Sequence, residues 1–268
     1  MVLLPGMLIG PERFQEQARR AVAYATVVRL AIPGVHTMEE LPSLRSFDFL
    51  ADTVRYVLDD LGYSRSNVLG ISYGGYIAHH LAHRHPDSVD KLMLAGTANP
   101  RKSSYFDPTV WGHLAQRWKT VSREEFALEL TELLLGGEEG VSAAEYDRAR
   151  RTVHMWAMRV SEQGIRLRID CGVRTRTLTS APVAVPVLAV TGEHDTWSRP
   201  EACRLHVASW PDAQYTTVSQ SDHFLPATRP AEFAELARRF FLGESLEDLP
   251  YCVEWDRFRQ SATVGGTA

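Results

Sequence analysis

The stretch Gly70–Gly74, with the sequence GISYG, holds the serine best placed for chemistry in this chain. It lies between an apolar run that is typical of a strand and a helix-like run from Tyr76 to His83. This context predicts a strand, a tight turn and a helix, with Ser72 on the turn and its hydroxyl clear of the backbone. Small residues two positions before and after the serine let the strand and helix approach closely. The pattern therefore predicts that Ser72 is a nucleophile.

A serine hydroxyl is a poor nucleophile until a base removes its proton, and an acid must fix the tautomer of that base. Asp195 ends the loop Gly192–Asp195, which directly follows the apolar segment Val185–Thr191, and His223 lies in the loop after the segment Gln214–Val218. In an open parallel sheet, functional groups lie at the carboxyl ends of strands. The sequence therefore predicts Ser72 as nucleophile, His223 as base and Asp195 as acid.

Other acidic and histidine residues compete for these roles. Glu193 lies in the same loop as Asp195, and Asp107 follows the fourth predicted strand, where an acid could also stand. His194 and His206 are interpreted as ordinary surface or loop residues.

Four histidines, His79, His80, His83 and His85, crowd the helix after the serine. His79 and His83 have the i, i+4 spacing of metal ligands, but no acidic residue stands between them in a metalloprotease arrangement. A partly solvated helix face is the better interpretation, and we expect no metal.

The elements that must position these side chains alternate between strand and helix over most of the chain. This alternation predicts an α/β fold with a mostly parallel sheet and helices on both faces. It breaks where a mostly helical segment intervenes, which we interpret as an inserted cap. The predicted divisions are 1–99 (first part of the core), 100–180 (helical cap), 181–250 (second part of the core) and 251–268 (polar C-terminal tail). The predicted strands are 2–4, 26–32, 67–71, 91–95, 185–191 and 214–218.

The order nucleophile, acid, histidine resembles the α/β-hydrolase superfamily, and the resemblance covers roughly residues 2–242. Gly192–Asp195 resembles the acid loop of that family, and Asp222–Leu225 resembles its histidine loop. Two departures stand out. Asp222 precedes the histidine where the family usually has glycine, and the hairpin that usually precedes the first strand is expected to be absent.

Leu3–Met7 resembles the oxyanion loop of the same family, with Pro5 in place of the usual histidine. The resemblance implies that the backbone N–H groups of Met7 and Tyr73 form an oxyanion hole. Acyl transfer builds negative charge on the former carbonyl oxygen, and two fixed donors would stabilise it.

Large apolar side chains near the predicted site are candidates for substrate binding. Trp197 stands two residues after the acid and could form a wall of the site. Trp111 and Met155 belong to the predicted cap, where they could line an acyl pocket or form the core of the cap itself.

Composition narrows the functional classes. The chain has 268 residues, a net charge of −4 and three cysteines, so a nucleic-acid footprint and a disulfide framework are not expected. The start of the chain has no basic leader, and no apolar run approaches the roughly 20 residues of a membrane helix. We expect a cytoplasmic protein.

A basic cluster lies between the predicted cap and the next strand. It fits a solvated helix face better than a surface that attracts an acidic acyl carrier. Its members are Arg159, Arg166, Arg168, Arg174 and Arg176.

Together these features predict a serine hydrolase for an ester or thioester that needs no cofactor. The substrate would be a small molecule or an acyl thioester, with an acyl carrier as a conceivable partner. Three alternatives stay open: an acyltransferase resembling hydroxyacyl transacylases, a lyase, isomerase or cyclase on the same fold, and a non-enzymatic ligand-binding relative.

Overall fold

The computed structural model describes residues 1–7, 10–37, 46–99, 108–135, 142–174 and 178–259. Within these residues, seven strands form one sheet: β1 (Val2–Leu4), β2 (Val28–Arg29), β3 (Ser66–Ile71), β4 (Val89–Ala95), β5 (Val187–Gly192), β6 (Asp212–Val218) and β7 (Cys252–Arg259). Their order is β2-β1-β3-β4-β5-β6-β7. All neighbours are parallel except β6 and β7, which are antiparallel.

Ten α-helices are described: α1 (Gln15–Ala21), α2 (Phe47–Asp60), α3 (Tyr73–Arg84), α4 (Pro108–Thr120), α5 (Arg123–Leu135), α6 (Ala143–Arg159), α7 (Glu162–Arg174), α8 (Pro200–Val207), α9 (Leu225–Thr228) and α10 (Pro230–Leu242). None of them is both long enough and apolar enough to cross a lipid bilayer. The predicted α/β class, with a mostly parallel sheet and helices, is confirmed.

The central strands are buried on both faces because helices cover each side. Val68 and Val187 belong to one apolar cluster, while their neighbours Leu69 and Leu188 belong to the cluster on the opposite face. This alternation follows from the two-residue period of a strand. Each such side chain contributes about 1.5–3 kcal/mol when fully buried. The core therefore fixes the carboxyl ends of the strands in space.

The sheet changes its direction of growth between β1 and β3. The chain first adds β2 on one side of β1, then places β3 on the other side and continues away from it. A crevice forms at such a switch point, outside the carboxyl ends of the two strands. The serine turn follows β3 and the predicted oxyanion loop follows β1, so both lie at this crevice.

Two parts of the sheet depart most from the predictions, while the ends of strands β3 to β6 differ from their predicted positions by no more than two residues. Residues 26–32 were expected to form one strand, but only Val28–Arg29 are paired, because this edge strand leaves the sheet before Pro33. Residues 251–268 were expected to form a tail, but Cys252–Arg259 pair with β6 as an edge strand. Charged residues alternate there with side chains that pack on the core, such as Trp255 and Phe258. Sequence analysis missed this strand because its charged residues interrupt the apolar pattern of a strand. Edge strands often carry such charges.

Four of the described helices, α4 to α7, lie in the segment between β4 and β5. Within it, Trp118 packs edge-on against Phe126, with ring centroids 5.2 Å apart, and Arg123 lies over the Trp118 ring. These contacts join α4 to α5. The assignment of residues 100–180 to a separate cap stays a prediction.

Candidate active site

Ser72 occupies the turn between β3 and α3 in a strained conformation. Its φ of 51° and ψ of −116° lie in a region that non-glycine residues rarely adopt. The Ser72 N–H donates to the Ala95 carbonyl at 2.7 Å, which ties the turn to β4. A serine at this position of a helix usually caps it, but the Ser72 side chain bonds no α3 N–H. The hydroxyl is therefore available to the site.

The three predicted residues meet at the carboxyl edge of the sheet. His223 Nε2 lies 3.1 Å from Ser72 Oγ, and His223 Nδ1 lies 2.9 Å from Asp195 Oδ2. These contacts span 151 and 28 positions of the chain, so only the fold brings the residues together. A carboxylate accepts the Nδ1 proton and leaves Nε2 without one. Nε2 can then accept the serine proton.

Three donors besides His223 hold the Asp195 carboxylate in place. Thr191 Oγ1 donates to Oδ2 at 2.8 Å, and the N–H groups of Trp197 and Ser198 donate to Oδ1 at 2.9 and 2.6 Å. The Asp195 side chain is fully buried. Buried carboxylates need such partners, since an unpaired buried charge is costly. Sequence reasoning missed Thr191 and Ser198, because nothing in the local pattern shows where their hydrogen bonds go.

The charges around His223 favour its protonated form. Burial lowers the pKa of His223, but the Asp195 carboxylate that bonds Nδ1 and the charge of Asp222 together raise it by more. The net pKa lies above the ordinary value of 6.5. This direction suits a base that becomes a stabilised imidazolium during the reaction.

Asp222 also shapes the histidine loop. Its Oδ1 accepts the Phe224 N–H at 2.8 Å, which holds the backbone on either side of His223. Burial raises the pKa of Asp222 to about 6, and the Asp195 charge adds to this while the Phe224 N–H and His223 oppose it. The departure from the family's glycine is therefore accommodated by a local turn.

Gly96, just after β4, completes the surroundings of the histidine. Its φ is +56°, and a Cβ placed there would lie 3.1 Å from His223 Cε1. A side chain at this position would push on the imidazole. Asp107, the alternative acid of the sequence analysis, lies outside the described residues.

The loop after β1 lies directly beside the nucleophile. A Cβ placed on Gly6 would be 3.4 Å from Ser72 Cβ, and one on Gly74 would overlap the carbonyl oxygens of Leu4 and Pro5. Met7 is buried, and Tyr73 is the first residue of α3, so its N–H has no partner within that helix. The pair of donors implied by the resemblance, Met7 and Tyr73, stays a prediction.

The structure places the three substrate-binding candidates in different surroundings. Trp197 is buried beside Asp195, and its backbone N–H donates to Asp195 Oδ1. Met155 lies half-buried on α6. The backbone of Trp111 belongs to α4, but its side chain lies outside the described part of the chain. A role in substrate binding stays a prediction for all three.

The interpretation of two groups of histidines needs correction. On α3, His79 and His80 are buried, whereas His83 is exposed and His85 is half-buried, so a partly solvated face holds only for the last two. His206 is buried rather than a surface residue. His79 Nε2 bonds the Ala181 carbonyl at 2.8 Å, and its ring lies 5.0 Å from that of His206. The sequence did not reveal this burial, because histidines are polar and the parts of the chain that cover this helix face, α8 and the segment before β5, are distant in sequence. In the part of the chain that the structure describes, no three potential ligands cluster around a metal position.

Arg174 also departs from its interpretation. It is only 1% exposed and lies 3.5 Å from the Tyr73 hydroxyl, so it is not part of a solvated face. Arg166 is exposed and pairs with Glu162. The side chain of Arg168 and the whole of Arg176 lie outside the described residues.

Comparison with known proteins supports the fold. Residues 2–134 match the family model described as alpha/beta hydrolase fold. A solved alpha/beta hydrolase enzyme from a Medee basin deep-sea metagenome library superimposes with a TM-score of 0.77 at 16% identity, covering 91% of this chain and 89% of that one. A thermophilic esterase from Thermogutta terrifontis gives a TM-score of 0.74 at 18% identity, covering 90% and 89%.

A curated relative matches a shorter part. The poly(3-hydroxyalkanoate) depolymerase of Ectopseudomonas oleovorans is 38% identical over 72 residues, which are 27% of this chain and 25% of the relative. The match thus spans about a quarter of that protein. From the family model, the sheet order and the shared fold, we conclude that this chain belongs to the α/β-hydrolase superfamily.

Proposed function

We propose that this protein is a serine hydrolase that cleaves an ester or thioester through an acyl-enzyme intermediate. The observation that carries the proposal is the unbroken chain of hydrogen bonds from Asp195 through His223 to Ser72. A serine needs such a base to become a nucleophile, and a base needs such an acid to stay in the right tautomer.

The first half of the reaction uses groups that already touch. Ser72 Oγ attacks the carbonyl carbon while His223 Nε2 takes its proton over the 3.1 Å contact. Asp195 stabilises the imidazolium, and its other three donors keep the carboxylate from turning away. His223 then gives the proton to the leaving alcohol or thiol.

The former carbonyl oxygen becomes negative in this step. The N–H groups of Met7 and Tyr73 are the proposed donors to it, and the amino-terminal end of α3 adds a positive potential at the same point. Losing one such donor typically costs about 3 kcal/mol of transition-state stabilisation.

The second half of the reaction repeats these steps with water as the nucleophile. His223 removes a proton from water, hydroxide attacks the acyl carbon, and the departing Ser72 oxygen recovers its proton. The products are the acid and the free enzyme. Every step uses groups of the chain and water.

Relatives favour an ester as the substrate. One solved neighbour is an esterase and one curated relative is a depolymerase. We propose that Trp197, Trp111 and Met155 line the acyl side of the pocket. The preferred chain length would then depend on α4 and α6.

The test is a panel of p-nitrophenyl esters and acyl thioesters of graded chain length. We expect turnover of at least one of them, and we expect Ser72→Ala to lower kcat by about a thousandfold or more. Ser88→Ala is the matched control, because its hydroxyl bonds the His85 carbonyl beside the opposite end of β4.

Ser88→Ala should keep the activity of the wild type. A Ser72→Ala variant that turns over the preferred substrate as fast as the wild type would refute the serine mechanism. A folded wild type that cleaves none of the panel would refute the ester and thioester proposal.

A further inference from the structure

His36 links the loop after β2 to the loop after β1. Its Nδ1 lies 3.0 Å from the Ile32 backbone nitrogen, and its Nε2 lies 2.8 Å from the Gly6 carbonyl oxygen. The two partners fix the tautomer of the ring. A backbone N–H can only donate and a carbonyl can only accept, so Nδ1 accepts from Ile32 and Nε2 carries the proton that it donates to Gly6.

The Gly6 carbonyl belongs to the same peptide unit as the Met7 N–H. The peptide bond between Gly6 and Met7 is trans. The Gly6 carbonyl and the Met7 N–H therefore point in opposite directions within one rigid plane. Holding the carbonyl sets the direction of the N–H, which is the implied first donor of the oxyanion hole.

The β-sheet itself gives this peptide little support. The strand β1 ends at Leu4, and Pro5 has no N–H to offer a neighbour. The loop nevertheless packs against the nucleophilic residue, because a Cβ on Gly6 would lie 3.4 Å from Ser72 Cβ. A contact that fixes the peptide plane here acts directly beside the nucleophile.

The same contact also improves the donor. A hydrogen bond to the carbonyl of an amide polarises the unit and strengthens its N–H as a donor. The hydrogen bond from His36 thus both orients the Met7 N–H and strengthens it as a donor.

We propose that His36 is a positioning residue of the oxyanion hole, which holds the Gly6–Met7 peptide so that the Met7 N–H faces the developing negative charge. This rests on the proposed serine hydrolase function. His36 does not touch the substrate and acts only through the peptide.

The test compares three variants on the preferred p-nitrophenyl ester. His36→Ala removes the donor to Gly6, and we expect a 10- to 100-fold loss of kcat with KM within about threefold of the wild type. His36→Gln can reach the Gly6 carbonyl with its amide N–H, and we expect it to recover at least a third of the lost activity on a logarithmic scale.

Thr37→Val is the matched control in the same turn. The Thr37 hydroxyl accepts the Gly34 N–H at 3.2 Å, whereas the Gly6 carbonyl is bonded by His36. If His36 acted only by keeping the turn folded, this variant should lose activity to a similar degree. We expect it to stay within about twofold of the wild type.

A second readout separates positioning from general damage. Phenylboronic acid forms a tetrahedral adduct with an active serine and places an oxygen in the oxyanion hole. Its inhibition constant should rise in His36→Ala by the same factor as the loss of kcat, while the melting temperature shows whether the variant is folded.

The results separate the two proposals. Wild-type kcat in folded His36→Ala, an equal loss in Thr37→Val, or unchanged affinity for phenylboronic acid would each overturn the role of His36 while leaving the hydrolase intact. A wild type that neither turns over esters nor binds the boronic acid would refute the hydrolase itself, and the role of His36 with it.

Discussion

At the scale of single residues, Ser72 combines two features that structural serines rarely share. Its backbone is held at a φ of 51°, and its side chain leaves the end of α3 uncapped. Strain of this kind costs on the order of 1–3 kcal/mol and persists where the surroundings enforce it. Here the Ala95 carbonyl and the packing of β1 against the turn enforce it. The hydroxyl is thereby turned towards His223.

His223 gives a prediction for the pH dependence of activity. Only the neutral imidazole can take the proton of Ser72, and Asp195 keeps the pKa of His223 above 6.5. As the pH falls through that raised pKa, the base becomes protonated and kcat/KM should fall tenfold per pH unit. We therefore expect the midpoint of the acidic limb above pH 6.5. A kcat/KM that stays level down to pH 5 would contradict this assignment of the base.

At the scale of elements, the turn at Ser72 depends on the close approach of β1 to α3. A Cβ on Gly74 would overlap the Leu4 and Pro5 carbonyl oxygens, so Gly74→Ala must push the strand and helix apart. Overpacking typically costs 1–3 kcal/mol. We expect a loss of about 2 kcal/mol in the free energy of unfolding and at least a tenfold loss of kcat.

Gly112 provides the matched control for this substitution. It lies in α4, where an added Cβ would meet nothing within 4 Å. Gly112→Ala should raise the free energy of unfolding by about 0.5–1 kcal/mol, because alanine is the better helix former. Urea unfolding measures both variants. Equal stability changes at the two positions would show that the turn does not need its glycine.

The sequence predicted the serine turn and both downstream loops because each is a local pattern at the end of an apolar strand. Ser72, Asp195 and His223 could be placed at one edge of the sheet by the rule that parallel strands end together. The donors to Asp195 and the contact of His36 with Gly6 could not be predicted. They depend on which loops face each other, and that is decided by packing far along the chain.

At the scale of the whole molecule, a buried group of aromatic and histidine rings joins α3 to α8 and to the turn between α8 and β6. His206 lies 5.2 Å from Trp210 and 5.0 Å from His79, measured between ring centroids. The cluster was misread from the sequence, because histidine on a helix usually faces water. Its burial shows that packing overrode residue type, as it did for Arg174.

This cluster makes stability depend on pH. Burial lowers the pKa of His206 to about 3, below its ordinary value of 6.5, so the folded state holds the ring neutral while the unfolded state takes up a proton. The contribution of His206 is complete above pH 6.5 and is lost as the pH falls towards 3. At pH 5 the loss is about 2 kcal/mol, since one pKa unit corresponds to about 1.4 kcal/mol.

The variant His206→Leu isolates this effect. Burial also lowers the pKa of the neighbouring His79, which adds to the loss, while Asp222, with a raised pKa of about 6, works in the opposite direction. The wild-type curve alone therefore does not separate the contribution of His206. Urea unfolding at pH 7 and pH 5 should show that the variant loses about 2 kcal/mol less than the wild type. The same loss in both proteins would mean that His206 is not held neutral by the fold.

The central claim is that the Ser72 hydroxyl is an activated nucleophile, and covalent labelling tests it most directly. The folded protein is treated with a fluorophosphonate, and peptide mass spectrometry locates the adduct. We predict one phosphonyl group on Ser72 in the wild type and none in Ser72→Ala. A folded wild type that gains no adduct, or gains it only at another residue, would contradict the account.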